Sequence, residues 1–237
     1  MKILFSKIIV FFFICFQVSF SQLLSEFDLD SAYRNELLVE NNALKQRISR
    51  FPSEAKSINA AIAQFIRQKD YNNALEQANQ LNQILPNNAD VKCFQAKMYY
   101  KLNNTELAIQ LYNQAIQLNP NNKWFYINKA GLLSEMNHIS EAIETVDTLI
   151  KIHKDWSIAY NLKASLLLHE NKKQQALSVF NQAIQLSPKS ALIYTNRGDL
   201  FLEMNDKENA ILNYQKALEI QPDYLSAKLK LDTIRLN

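Results

Sequence analysis

The side chains best suited to catalysis or metal binding in this sequence are one internal cysteine, Cys93, and three histidines, His138, His153 and His169. The histidines share neither the spacing of metal-ligand pairs nor a carboxylate pattern such as HExxH. No histidine forms a plausible catalytic pair with Cys93. With only two glycines, the chain also lacks a glycine-rich phosphate loop. We therefore expect no enzyme activity, no metal site and no cofactor.

The first 21 residues predict export. Two lysines precede an unbroken apolar run from Ile8 to Phe16, which is too short to span a bilayer comfortably. Ser19 and Ser21 then place small residues at the two specificity positions of a cleavage site before Gln22. We expect residues 1–21 to be a signal peptide of a bacterial protein that is periplasmic or secreted. The alternative is an uncleaved segment that anchors the protein in a membrane.

The charge of the remaining chain is close to neutral. Cleavage before Gln22 removes two lysines and no acids, which leaves 24 basic and 23 acidic residues. Such a chain has no electrostatic footprint for nucleic acid or for an anionic membrane surface. We expect no nucleic-acid partner, and membrane contact only if the N-terminal segment is retained.

The five prolines of the chain share one register. They are Pro52, Pro86, Pro120, Pro188 and Pro222. Successive members are equally spaced except for one interval of double length, and Lys154 lies at the midpoint of that interval. Alanines recur with the same spacing from Ala74 to Ala210. A fixed period of about 34 residues predicts an array of helical hairpins.

The register divides the chain into five repeats, each with two helical segments of about fourteen residues. The repeats are 55–88, 89–122, 123–156, 157–190 and 191–224. Asn103-Asn104, Asn171 and Asn205-Asp206 fall between the two segments, where short polar side chains favour turns and helix caps. Small residues and aromatics recur at fixed positions, so neighbouring helices can interlock and bury each other's apolar faces.

The last repeat resembles the tetratricopeptide (TPR) signature. The matching residues are Tyr194, Arg197, Gly198, Phe201, Ala210, Tyr214, Ala217 and Pro222. The fourth repeat matches at Tyr160, Ala164, Leu167, Ala176, Phe180, Ala183 and Pro188. The resemblance covers residues 55–224 and implies an all-α, right-handed superhelical solenoid of five helix pairs. It also implies a concave groove lined by the first helix of each pair.

The groove implied by this resemblance has a mixed lining with large apolar side chains suited to anchoring a helix or an extended peptide. Its expected residues are Lys97, Tyr100, Lys101, Trp124, Ile127, Asn128, Gly131, Ile158, Asn161, Ser165, Leu192, Thr195 and Asp199. The carboxylate clamp of chaperone-binding TPR proteins is incomplete, because Ile158 and Leu162 replace its basic pair. We expect a protein or peptide partner. The alternative is that these side chains only pack between adjacent first helices.

Both ends of the array need covering. Residues 225–237 continue in helical period and predict a C-terminal capping helix. Residues 22–54 predict a linker and a helix over 28–51, in which Leu37, Leu44 and Phe51 recur at a heptad spacing. An N-terminal cap is favoured over a short coiled coil. The sequence thus predicts an exported, non-catalytic scaffold, with a self-assembling oligomer through 28–51 or a membrane-tethered protein as alternatives.

Overall fold

The computed structural model describes residues 28–236, and this part of the chain is built from twelve α-helices without a strand. The helices are α1 Ser31–Ser49, α2 Ser53–Arg67, α3 Tyr71–Ile84, α4 Ala89–Lys101, α5 Thr105–Leu118, α6 Lys123–Glu135, α7 Ile139–Ile152, α8 Ser157–His169, α9 Lys173–Leu186, α10 Ala191–Glu203, α11 Lys207–Ile220 and α12 Leu225–Leu236. The predicted all-α fold is confirmed. The predicted signal peptide lies outside the described residues. Within them, no helix combines the length and the apolar character needed to cross a membrane.

The chain divides into two compact units. One contains residues 37–137, and the other contains residues 28–36 together with 138–236. In the first unit α2 packs on α3 and α4 on α5; in the second, α8 packs on α9 and α10 on α11. The helices α4, α6, α8 and α10 begin at equal intervals along the chain, so the proline register corresponds to real helix starts.

The turn between the helices of a pair uses the left-handed backbone conformation at one repeat position. The residues there are Lys69, Asn103, Asn137, Asn171 and Asn205, with φ between 58° and 63°. After α10, the Asn205 N–H donates to the Leu202 carbonyl and the Asp206 N–H to the Phe201 carbonyl. These two bonds satisfy carbonyls that the helix end would leave unpaired. Asparagine tolerates this conformation better than most residues, which explains its recurrence.

The core of the first unit accommodates its departures from the repeat pattern. Ile62, Ala78 and Leu81 are all fully buried in one cluster that also contains Phe94. Ile62 occupies a position that is small in the later repeats, while Ala78 occupies an aromatic position. The large and small side chains therefore exchange places within one packed layer, which conserves volume.

The core of the second unit depends on close helix contact. A Cβ added to Gly198 of α10 would lie 2.6 Å from Cε1 of Tyr214, whose ring is completely buried. The small residue therefore leaves space for the aromatic ring of α11. Helix α12 packs Ala227 and Leu231 into the same cluster.

Candidate functional site

The thirteen residues predicted for the groove lie on four first helices, two in each unit. In the unit of residues 37–137 they lie on α4 and α6, and in the other unit on α8 and α10. We call these surfaces the first-helix face of each unit. Most of these side chains are buried, and only Tyr100, Lys101 and Leu192 are half-buried.

On α4 and α6, the polar members of the face are engaged within the protein. Lys97 is only 1% exposed. The Tyr100 hydroxyl donates to the Glu135 carboxylate, and the Asn128 amide lies 3.7 Å from the Cys93 sulfur. The Lys101 ammonium lies 5.4 Å from the centre of the Tyr100 ring, and desolvation lowers the pKa of Lys101. These contacts support the face, but they leave its binding role a prediction.

On α8 and α10, the polar members also serve the fold. The Asn161 side-chain oxygen accepts a 3.0 Å bond from Asn196, which joins the two helices. Ser165 and Thr195 donate to carbonyls of their own helices, at 3.0 and 2.8 Å.

Asp199 of α10 links three helices. It accepts from the Tyr214 hydroxyl of α11 at 2.7 Å and from Lys230 of α12 at 2.5 Å. This carboxylate therefore has a structural task that sequence reasoning did not anticipate.

Residues from the N-terminal segment lie against the first-helix face of the second unit. A cavity of about 200 Å³ lies between them. The N-terminal segment contributes Ala32, Tyr33 and Glu36 to its wall. The rest of the wall includes Trp156, Ile158, Asn161 and Leu192. Three of the residues predicted for the groove therefore face α1. The described segment from residue 28 covers part of the surface that the sequence predicted to be open.

The same position of four successive repeat units donates a hydrogen bond to this segment. It is the residue immediately before a first helix or before α12, and we call its members Asn122, Trp156, Ser190 and Tyr224 the N-cap row. Each side chain of the row donates a hydrogen bond to an acidic residue of the segment 28–40, in order Glu40, Glu36, Asp30 and Asp28, with the bond to Asp28 made at its backbone carbonyl. Asn122 and Glu40 lie in the first unit, and the other three pairs lie in the second. The row advances by one repeat at each step, while its acidic partners move backwards along the sequence.

Asp30 is the most fully engaged of these acids. Its Oδ1 accepts from the Tyr33 N–H at 2.9 Å, which caps the start of α1. Its Oδ2 accepts from the Ser190 hydroxyl at 2.5 Å and from the Leu192 N–H at 3.1 Å, at the start of α10. One carboxylate that is 1% exposed thus satisfies donors at two helix N-termini. Both helix dipoles favour its negative charge.

Tyr33 is buried beside Asp30, and burial first and the Asp30 charge second raise the pKa of its hydroxyl. Tyr33 therefore stays neutral, which suits its position in the wall of the cavity.

Asp28 and Glu36 extend the pattern. The Asp28 carboxylate accepts from the Ser226 N–H in the first turn of α12, and the Tyr224 hydroxyl donates to the Asp28 carbonyl at 3.1 Å. The Trp156 indole Nε1–H donates to Glu36 Oε2 at 2.8 Å. The Trp156 side chain does not cap α8. At this row position, the side chain of Trp156 therefore contacts α1 instead of capping its own helix.

The later part of α1 is held differently, within the first unit. Leu44 and Phe51 are buried in the same apolar cluster as Ile62 of α2. The Arg47 guanidinium donates to both Asp90 oxygens, at 2.7 and 3.0 Å, and to Glu40 at 2.7 Å.

Burial alone would lower the pKa of Arg47, but its bonds to Asp90 and Glu40 and their charges raise it instead. Arg47 stays charged, and its two-pronged bond to Asp90 fixes the rotation of α1 at this point.

Sequence reasoning predicted an N-terminal cap over 28–51, and the structure divides this range. Leu44, Ile48 and Phe51 pack beside the first repeat, as a cap does. Residues 28–36 instead contact the end of the third repeat at Trp156, the last two repeats and α12. The sequence does carry a signal for this difference, since the acids of this range all fall before residue 41 and most of its bases, Lys45, Arg47 and Arg50, after it.

The family of the chain follows from models of the tetratricopeptide repeat. Four of them match residues 58–123, 99–166, 158–190 and 191–224. The chain is a tetratricopeptide repeat protein. The resemblance seen in the last repeats therefore holds across 58–224. No curated protein matches the chain.

Solved structures share this TPR fold at low sequence identity. MamA 41-end from Desulfovibrio magneticus RS-1 has a TM-score of 0.60 at 15% identity, covering 72% of this chain and 97% of that one. TTC0263, a thermophilic TPR protein in Thermus thermophilus, has a TM-score of 0.59 at 15% identity, with 77% and 100% coverage. YrrB, a TPR protein with an unusual peptide-binding site, has a TM-score of 0.54 at 17% identity, with 71% and 87% coverage.

The site offers hydrogen-bond donors and apolar side chains rather than reactive groups. Over residues 28–236, no cluster of three or more His, Cys, Asp or Glu side chains has an arrangement that could hold a metal ion. Its strongest chemical feature is the set of helix N-termini whose N–H groups donate to carboxylates.

Proposed function

We propose that this TPR protein is a non-catalytic scaffold that binds a segment of another protein through its first-helix face. The observation that carries the proposal is that this face already holds a helical segment. In the second unit, Trp156, Ser190 and the Leu192 N–H all donate to residues of the chain's own N-terminal segment. A surface built to hold one helix by its polar side chains can hold another of the same chemistry.

The composition of the face supports a peptide ligand. Ile158 and Leu192 give it apolar anchors beside the cavity, and Trp156 combines an aromatic surface with a donor. Large side chains with one polar atom are the usual centres of protein interfaces. The fold shared with YrrB, whose name describes a peptide-binding site, agrees with such a role.

We also propose that this activity lies outside the cytoplasm. The basic start, the short apolar run and the small residues before Gln22 support an exported protein. N-terminal sequencing of the protein from its native cells tests this, with Gln22 as the expected first residue. An intact Met1 or Lys2 on the exported protein would instead support the membrane-tethered alternative.

Site-specific photocrosslinking in the native cell tests the binding face. Residues His169 and Glu203 occupy the same position on α8 and α10 and are exposed, while Gln182 is exposed on the second helix α9. A benzoylphenylalanine at either first-helix position should capture the same partner. The matched substitution at Gln182 should capture none.

The adducts separate the candidate functions. A partner captured equally from Gln182 would assign binding to the other face and contradict the proposal. An adduct between two copies of this chain would favour the self-assembling oligomer.

A further inference from the structure

We propose, building on the function above, that the ligand of the second unit is a helix led by two acidic side chains two residues apart. Residues 28–36 are then the chain's own copy of this ligand. They occupy the site until a partner segment of the same chemistry replaces them.

The chemistry of recognition is carried by helix N-termini. Asp30 accepts from the Leu192 N–H and the Ser190 hydroxyl at the start of α10, and Asp28 accepts from the Ser226 N–H at the start of α12. Backbone N–H groups at these positions have no partner within their own helices. An anion that accepts from them also gains from the helix dipole. The two N-termini therefore select two acids at a fixed spacing.

The remaining contacts define the rest of the ligand. Asp30 also caps its own helix through the Tyr33 N–H, so the ligand must become helical directly after its second acid. Glu36 follows six residues later and accepts from the Trp156 indole. The partner segment is thus an acid-capped helix with a third acceptor near its second turn.

The cavity shows how a partner can bind better than the chain's own segment. Ala32 faces the cavity of about 200 Å³, whose opposite walls include Ile158 and Leu192. An alanine leaves this volume unfilled, whereas a leucine or methionine at the same ligand position would bury apolar surface there. The site is therefore occupied by a ligand that does not fill it.

Covalent attachment compensates for this imperfect fit. A tethered segment competes at an effective concentration in the millimolar range. A free partner then binds with an apparent affinity reduced by the fraction of sites that are open. Loss of the acidic contacts in the segment should remove this competition while leaving Ser190, Trp156 and Tyr224 in place to bind a partner.

The test uses a fluorescent synthetic peptide with the sequence of residues 27–49 and the purified chain. The release variant carries Asp28→Ala, Asp30→Ala and Glu36→Ala. The matched control carries Asn35→Ala and Asn42→Ala, at exposed positions of the same helix. Circular dichroism checks that both fold, and hydrogen exchange reports whether residues 31–36 are released.

We expect the release variant to bind the peptide at least about tenfold more tightly than the parent or the control, because the tethered competitor is weakened. A peptide with Asp28→Ala and Asp30→Ala should bind the release variant about tenfold more weakly or worse, while a peptide with Ala32→Leu should bind it more tightly.

Three results would overturn the inference. The parent and the release variant binding the peptide equally would show that the segment does not compete. Unchanged hydrogen exchange at residues 31–36 in the release variant would show that the acids do not hold the segment. If hydrogen exchange at residues 31–36 became faster in the release variant but the peptide did not bind, the face would not recognise an acid-led helix. The photocrosslinking at His169 and Glu203 is independent of these results, so a captured partner would leave the proposed function standing.

Discussion

The two ends of the N-terminal segment are attached to the protein by different forces. Residues 28–36 are held by hydrogen bonds from helix N-termini and from Trp156, with the side chains of Leu29 and Tyr33 buried beside them. The end near Leu44 and Phe51 is held by burial in an apolar cluster, together with the ion pairs of Arg47. Hydrogen bonds exchange partners with water or with another ligand at little net cost, whereas buried apolar surface is lost on release. The difference indicates a segment that is anchored at one end and replaceable at the other.

The largest effect should come from the anchored end. Leu44→Ala removes a side chain that is 4% exposed, and we expect it to lower the free energy of unfolding by about 2–5 kcal/mol. Chemical denaturation followed by circular dichroism measures this. If Leu44→Ala lowered the free energy of unfolding by less than Asp30→Ala does, the end near Leu44 would not be the more firmly attached one.

Asp30→Ala should have the largest effect at the replaceable end. It leaves donors at two helix N-termini without their acceptor, which costs about 1–3 kcal/mol. Because the contacts are local, we expect faster hydrogen exchange at residues 31–36 and in the first turn of α10, with the core of α2 unaffected. Uniformly faster exchange throughout the chain would show that the segment is an integral part of the core.

Trp156→Phe should have a smaller effect. It keeps an aromatic ring at the cavity but removes the indole donor to Glu36, which costs about 0.5–1.5 kcal/mol. Glu36→Gln retains an acceptor and should cost less than Trp156→Phe. Equal unfolding midpoints for Trp156→Phe and the parent would show that this hydrogen bond adds nothing to attachment.

Asn35→Ala should have the smallest effect. Its side chain is exposed on α1, so stability should change by less than about 0.5 kcal/mol. A larger loss would mean that an exposed face of α1 makes contacts that the structure does not show, and the same measurement at Asn42 would locate them.

Local patterns in the sequence were sufficient to predict the repeats. The proline register indicated the helix starts, and the small residue at Gly198 corresponds to a real close contact with Tyr214. The asparagines between paired helices were correctly expected in turns, and Asn103, Asn171 and Asn205 all adopt the left-handed conformation. These features repeat because each depends on neighbours within one or two helices.

The attachment of residues 28–36 could not be predicted in the same way. The bonds from Ser190 to Asp30 and from Ser226 to Asp28 join residues 160 and 198 positions apart. No periodic pattern links them, since the segment is not itself a repeat. The indole bond of Trp156 to Glu36 likewise requires the placement of α1 to be known.

The long separation between Asp30 and Ser190 also has a consequence for the timing of synthesis. The acidic segment leaves the ribosome first, and Ser190, which donates to Asp30 at the start of α10, is made 160 residues later. At about 5–20 residues per second, this interval lasts roughly 8–30 seconds. Each new molecule therefore passes through a period in which the segment exists before its own binding site. During that period residues 28–36 cannot occupy the first-helix face, because Ser190 and Leu192 have not yet been made.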